Sequence, residues 1–363
     1  MQTLYFSGKS GGGKTAAALG VGMKLRDEGL KVSYFKPFSF RKGLVKKDDD
    51  DVVLMREVLA LPFSSETISP LTVNAHYLTS GFLKENQNNL VQRVEKAFKR
   101  CSEGYDVVLV DGSIEPYIGY NKGLDDYSLA AKFQASVIPV VRADDDFQFD
   151  QNLLYLDLWK QHKAPLIGAV FCNVTPTQWN TSTSIYKPLI EEKYCPVLGV
   201  VPKQIEISSP TVAEFYDILQ GEILAAPERL DRIVEEVVIG TMNIESALSY
   251  LRRAPHKAVI TGGDRSDMAL TALETSTSVL ILTGGLYPDV RVLAKAEEKG
   301  VPVILVHQDT YTTIENLHSL YWSIHPEDER AISRVKEICE KYVDFKLILK
   351  SVGSEKNKTA GSK

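Results

Sequence analysis

Two hydrophobic periods alternate along the first half of the chain. The runs TLYFSG, VSYFKP, YDVVLVDG, SVIPVVRA, LIGAVFCNV and VLGVVP place aliphatic and β-branched residues at successive positions. That pattern predicts strands covered on both faces, as in a parallel sheet. Between them lie stretches with helical spacing, TAAALGVGMKLRDEG and QNNLVQRVEKAFKRCSEG, each closing on a glycine, Gly29 or Gly104. A glycine there suits the left-handed turn just past a helix end. Alternating strands and helices predict a doubly wound, mostly parallel α/β domain over residues 1–226.

Near residue 225 the pattern changes. AAPERLDRIVEEVVIGTMN reads as a Pro-initiated connection and helix. Three further strand-like runs follow, KAVITGG, SVLILTGG and VPVILVHQ, alternating with the helical patterns SDMALTALETS and DVRVLAKAEEKG. They predict a second, smaller α/β domain over 227–350. Residues 351–363 include SEKNKTAGSK, which has no large apolar side chain, and are expected to form a disordered tail.

Composition narrows the function classes. A chain of 363 residues exceeds one typical core, in keeping with two domains. A net charge of −5 argues against a nucleic-acid-binding protein. The four cysteines are scattered with no CxxC pair, so neither a disulfide framework nor a metal knuckle is expected, and a reducing, cytoplasmic location fits. No run of 18 or more apolar residues occurs, and the N-terminus opens on a strand-like run. Neither a membrane span nor a signal peptide is expected.

The first strand runs into GKSGGGKT, Gly8 to Thr15, which satisfies GxxxxGK[ST] between a predicted strand and a predicted helix. Gly8, Ser10, Gly11, Gly12 and Gly13 would let backbone N–H groups surround phosphates, and the helix start adds its positive end. Lys14 would reach the β and γ phosphates, and Thr15 would ligate Mg²⁺. Lys36 ends the second strand, where ligands of open α/β sheets bind. It is either a cation facing the transferred phosphoryl group or an anionic substrate, or a snorkelling edge lysine. Asp48, Asp49, Asp50 and Asp51 adjoin a helical pattern. Asp51 is the first choice for Mg²⁺ and Asp50 the next. Asp111 ends an apolar strand in the manner of a Walker B acid, or else caps a turn. Asn173 also ends a strand, to read a nucleobase edge or to make a turn.

Together these residues resemble the dethiobiotin-synthetase-like class of P-loop proteins. The resemblance rests on the loop, Lys36–Pro37, an aspartate before a helix, Ser69–Pro70, Asp111–Gly112 and the strand-end asparagine. The stretches 123–133 and 197–215 look like the version at the N-terminus of long phosphate acetyltransferases. VVIGTMNIESALSYL, VITGGDRSDMALTAL and the run from LILTGG to TIENL look like the DRTGG domain that follows it there. The resemblance spans about residues 1–350 and implies ATP and Mg²⁺ binding. Lys9, directly after Gly8, is similar to the extra lysine of deviant P-loops in ParA/MinD-type proteins. In members that have it, it reaches phosphates across a dimer interface; here it is that or a solvated side chain. Two features depart from the family. Ser10–Gly11–Gly12 replaces the threonine and glutamate with which dethiobiotin synthetases handle substrate, and Asp111 replaces their usual glutamate. The carboxylation reaction therefore does not carry over. No acetyltransferase-like part follows in this sequence, so acetyl transfer is not expected of it either.

In the second domain the loops TGGDRSD, TGGLYPD and HQDTYTT would share one sheet edge if their strands are parallel. That edge would gather Asp264, Arg265, Asp267, Thr283, Gly284, Gly285, Asp309, Thr310 and Thr312. It would be a small-molecule or subunit interface, or a set of caps and turns. His307 is the one candidate base there. Two function classes follow: a nucleotide sensor, acting as a homodimer or higher oligomer and with a separate acetyltransferase as a candidate partner, or a ligase-like enzyme in which Lys9, Lys14 and Lys36 stabilise transferred charge.

Overall fold

The computed structural model describes residues 1–40, 49–74, 76–82, 84–204, 209–317, 324 and 326–353. Asp48 and residues 354–363 of the expected tail lie outside the described residues; Ser351 closes the helix Phe345–Ser351.

The six apolar runs of the first half form the strands β1 (Gln2–Ser7), β2 (Val32–Phe35), β5 (Val107–Asp111), β6 (Ser136–Val141), β7 (Ala169–Val174) and β8 (Val197–Pro202). They make one sheet in the order β2-β5-β1-β6-β7-β8, parallel throughout. The order reverses at β1, so the crevice beyond its carboxyl end is a topological switch point. A separate two-stranded parallel ribbon, β3 (Phe38–Phe40) with β4 (Leu71–Val73), was not visible in the pattern, because three-residue strands show no period. Gly29 and Gly104 take the left-handed conformation expected past the helices α1 (Lys14–Asp27) and Gln87–Ser102.

The second sheet has the order β10-β11-β12-β13-β9, where β9 is Glu222–Ala225, β10 Glu236–Ile239, β11 Lys257–Gly262, β12 Thr277–Thr283 and β13 Val303–Leu305. β10 to β13 are parallel and β9 is antiparallel. Residues alternate between two cores: Val259, Leu280 and Leu282 face one side, and Ala258, Ile260, Val279 and Ile281 the other. The expected helix over EEVVIG is corrected here. Val237, Val238 and Ile239 form β10 against β11, and β-branched residues in sequence favour that pairing over a helix.

The compact units are Met1–Ile207 with Ile324–Lys363, and Ser208–Ser323. The structure thus divides the chain elsewhere than at 226/227. β9 joins the second sheet through β13, which draws the stretch before 227 into the second unit. After it the chain returns to the first unit, where the helix Glu329–Tyr342 lies against α1. Val335 and Cys339 enter the first core, and Lys336 pairs with Asp27 at 2.7 Å. Gly20 permits that approach, since a Cβ there would collide with the Cys339 sulfur.

Candidate functional site

The loop Gly8–Thr15 sits at the switch point between β1 and α1. Gly13 precedes α1 at φ 91°, and a side chain there would press on Cys172 Cβ at 2.9 Å. Lys14 is buried, and its ammonium curls back to donate to the carbonyls of Gly8 at 2.8 Å and Lys9 at 3.1 Å. Burial pushes that ammonium down from its ordinary range, with Asp111 opposing the shift. The loop is braced from β6 and β7. Arg142 Nη1 donates to the Gly11 carbonyl at 2.9 Å, and Asn173 Nδ2 donates to the same oxygen at 3.1 Å. Asn173 therefore spends one amide N–H on the loop itself, from a left-handed backbone at φ 57°. Lys9 is half-buried, Ser10 is exposed, and among the described residues the Lys9 ammonium has no hydrogen-bond or ion-pair partner.

A chain of charged groups runs outward from the loop. Thr15 Oγ1 donates to Asp111 Oδ2 at 2.8 Å, and Tyr34 donates to the same oxygen at 3.0 Å. Asp111 is buried at the end of β5, and its other oxygen, Oδ1, has no hydrogen-bond partner among the described residues. Burial raises the Asp111 carboxyl, although Lys36 opposes the shift. The Thr15 hydroxyl also helps to lower the carboxyl of Asp51, near the start of α2 (Asp50–Val58). The Lys36 ammonium lies 2.6 Å from Asp51 Oδ2 and 2.9 Å from Asp49 Oδ1. Burial alone would depress Lys36, but Asp51 and Asp49 outweigh it and hold the ammonium well above its usual range. In return Lys36 keeps Asp51 low against the effect of burial. Asp49 caps α2, accepting from the N–H groups of Asp51 and Val52.

These donors fit Mg²⁺ in one particular way. Among the described residues no group of three or more His, Cys, Asp or Glu is placed to hold a metal by itself. Mg²⁺ in nucleotide sites is held instead by one or two side chains together with phosphates. Thr15 Oγ1 and the buried Asp111 Oδ1, which lacks a hydrogen-bond partner among the described residues, are suited to that, with Asp51 beside Thr15. Asp50 lies at the start of α2 and is half-buried.

Asp126 was not singled out from the sequence. It is wholly buried and accepts from Ser7 Oγ at 2.6 Å, Tyr5 OH at 3.0 Å and the Ser113 N–H at 3.0 Å, tying the ends of β1 and β5 to the helix Asp126–Lys132. Burial pushes its carboxyl up to about 7. The signal available was the acid pair Asp125–Asp126 at a helix start: Asp125 caps the helix through the Ser128 N–H, so the second carboxylate needed another use. Arg142 was also missed, although it stands at the end of β6, the strand next to the loop.

The second unit does gather its loops, because β11, β12 and β13 are parallel neighbours. Arg265 forms a two-pronged pair with Asp267 at 3.0 and 3.2 Å and also donates to the Met242 carbonyl at 3.4 Å. Thr283 and Thr310 share a hydrogen bond at 3.0 Å. The Gly284 and Gly285 N–H groups donate to Gln308 and Val306 carbonyls. Asp309 caps the next helix through Thr312. Asp264 and His307 are exposed.

The comparisons with known proteins agree with both halves. An AAA domain matches residues 4–211 and a DRTGG domain residues 214–320. The phosphate acetyltransferase of Nitrosomonas europaea is 26% identical, over 97% of this chain and 52% of its own. That of Nitratidesulfovibrio vulgaris is 26% identical, over 93% of this chain and 49% of its own. The chain thus spans about half the length of these curated relatives. Among solved structures, the MinD cell division ATPase of Pyrococcus furiosus aligns with 57% of this chain and 85% of its own at 17% identity and a TM-score of 0.35. The CBS and DRTGG regulatory region of Clostridium perfringens pyrophosphatase aligns with 43% of this chain and 73% of its own at 19% identity and a TM-score of 0.29.

Proposed function

Since the chain belongs to the AAA-domain P-loop family and joins that domain to a DRTGG domain, we propose that it is a regulatory module that binds ATP with Mg²⁺ and acts by sensing it. One observation carries this reading: the Lys14 ammonium is buried and, among the described residues, its hydrogen bonds go to the loop's own carbonyls. A depressed, desolvated cation in a backbone cradle is poised for an anion. Thr15, Asp111 and Asp51 would hold the metal, and Asn173 would lie beside the base. Lys9, without an ion-pair partner in its own chain among the described residues, supports a homodimer in which it reaches the neighbouring site. The match to phosphate acetyltransferases supports an acetyltransferase as the partner acted upon. Four free, buried thiols suit the reducing cytoplasm. The edge that gathers Asp264, Arg265, Asp267, Thr283, Gly284, Gly285, Asp309 and Thr310 would be the second unit's contact surface for a small ligand or a subunit.

One observation favours a second reading as a ligase-like enzyme. A buried Lys36 stands beside the metal-side acids, where a transferred phosphoryl group would be stabilised. ATP turnover with and without a panel of small acids and amines separates the two. Tight binding with negligible turnover throughout is expected; fast turnover with one small acid or amine would overturn the sensor reading.

A further inference from the structure

We infer that Lys36 is a tethered counter-ion that exchanges with the nucleotide's divalent cation: it holds Asp51 while no metal is bound and gives that carboxylate up when the metal arrives. The inference deepens the nucleotide–Mg²⁺ reading and rests on it. Three buried or half-buried carboxylates, Asp49, Asp51 and Asp111, are here balanced by two ammonium groups, Lys14 and Lys36. Lys36 is the one that touches carboxylates, at 2.6 and 2.9 Å, whereas Lys14 is spent on carbonyls.

Thr15 links the two ends of this arrangement. Its hydroxyl proton goes to Asp111, which leaves an oxygen lone pair for a metal, and its hydroxyl is near enough to Asp51 to help lower that carboxyl. A cation on Thr15 Oγ1 therefore stands next to the carboxylate that Lys36 now occupies. Asp111 Oδ1, buried and without a hydrogen-bond partner among the described residues, is a second and independent sign that a group belongs there. Like charges in a desolvated site repel far more strongly than in water. An ammonium and a divalent cation cannot share Asp51 without that cost.

The main chain of Lys36 is held by its N–H bond to the Ile68 carbonyl, so the side chain is what can move. Asp49 is committed to capping α2 and keeps only a weaker claim on the ammonium. Nucleotide phosphates offer the other destination. Lys14 and Lys36 already repel each other across the site, and an anion between them relieves that. Metal loading and the position of Lys36 are thus two faces of one equilibrium.

The test uses Mn²⁺ as the metal probe and a non-hydrolysable ATP analogue as the nucleotide probe. In nucleotide-free protein, Lys36→Met is expected to tighten Mn²⁺ binding, read by electron paramagnetic resonance, by about tenfold. The same variant is expected to weaken the analogue clearly more in Mg²⁺ than in EDTA. Asp51→Asn keeps the shape of the side chain and frees Lys36 in the wild-type loop. It is expected to bring the analogue's affinity in EDTA toward that in Mg²⁺, and it serves if Lys36→Met does not fold. Mn²⁺ affinity that is unchanged or weaker in Lys36→Met, or an equal loss of analogue affinity in both buffers, would make Lys36 a fixed ion pair and overturn the inference alone. If wild-type protein binds no analogue in either buffer, the nucleotide reading fails, and this inference with it.

Discussion

The carboxyl edges of the two parallel sheets look alike in sequence and differ in how their polar groups are satisfied. Each gathers glycine-rich loops carrying Asp, Thr and a cation. At the first edge the charges are desolvated and incompletely met: Lys14 rests on carbonyls of its own loop, and Asp111 Oδ1 has no hydrogen-bond partner among the described residues. At the second edge the groups answer one another at or near the surface, Arg265 with Asp267, Thr283 with Thr310 and Asp309 with Thr312. Residue types alone do not distinguish a binding site from a set of caps. Burial of charge without its full complement of partners does, because such a group is costly to keep unless something binds there.

The sharpest way to break this contrast is Lys14→Ala. Removing the one buried ammonium of the cradle is expected to weaken ATP binding by at least about a hundredfold, since a buried charge-assisted contact is lost outright. Isothermal titration checks this, and near-wild-type affinity in that variant would remove the first edge's claim to be the phosphate site. Next in size is Asp126→Asn. The Asp126 carboxyl titrates near 7 when folded against an ordinary value of 3.8, so the folded state holds a proton that the unfolded state has released. Stability from this group is full below about pH 4 and lost as pH rises through 7, by roughly 4 kcal/mol at most. The amide can still accept at Oδ1 and can donate to Ser7. The variant should therefore melt higher than wild type at pH 8 and show little gain at pH 5. Equal differences at both pH values would mean that Asp126 is charged throughout.

Much of this was legible beforehand, for definable reasons. All six strands of the first sheet follow from apolar runs, because a strand covered on both faces must be apolar at every position. GKSGGGKT was legible because its chemistry depends on backbone freedom at fixed spacing. Asp126 and Arg142 were not: the pair Asp125–Asp126 left one acid over, but the partners of both residues arise from β1, β5 and β6 lying side by side. EEVVIG was misread as helix because four residues of strand show too little period to oppose a flanking helical pattern. The return of Glu329–Tyr342 to α1 was hidden for a related reason: an amphipathic helix announces an apolar face but not the surface that covers it.

Lys257 tests whether buried charge alone marks a site. It is fully buried at the start of β11, the strand end opposite the loops, and it donates to the Ala254 and Ser276 carbonyls at 3.2 and 2.9 Å. Burial lowers its ammonium to about 8 from 10.5, so the unfolded state holds the proton more tightly. The second unit should lose stability as pH falls from about 10.5 through 8, by roughly 3 kcal/mol at most. Lys257→Met is expected to flatten that slope in thermal melts between pH 7 and 10 while leaving ATP affinity unchanged. A change in ATP affinity would show that a buried cation with both carbonyl partners can still report on a ligand.

The smallest effect is expected at the second edge itself. Arg265 and Asp267 form a well-aligned pair, yet both are exposed enough for water to compete. Arg265→Ala, Asp267→Ala and the double variant should each change stability by less than about 1 kcal/mol, with a coupling near zero in the double-mutant cycle. What the pair could still do is recognise a partner, since a planar guanidinium already oriented by Asp267 and the Met242 carbonyl is set for a further acceptor. Measuring the oligomeric state of Arg265→Ala by sedimentation, with and without ATP, separates the two roles. An unaltered state in both conditions keeps Arg265 as a surface brace; dissociation only in the presence of ATP would turn the second edge from a set of caps into an interface and bring it level with the first.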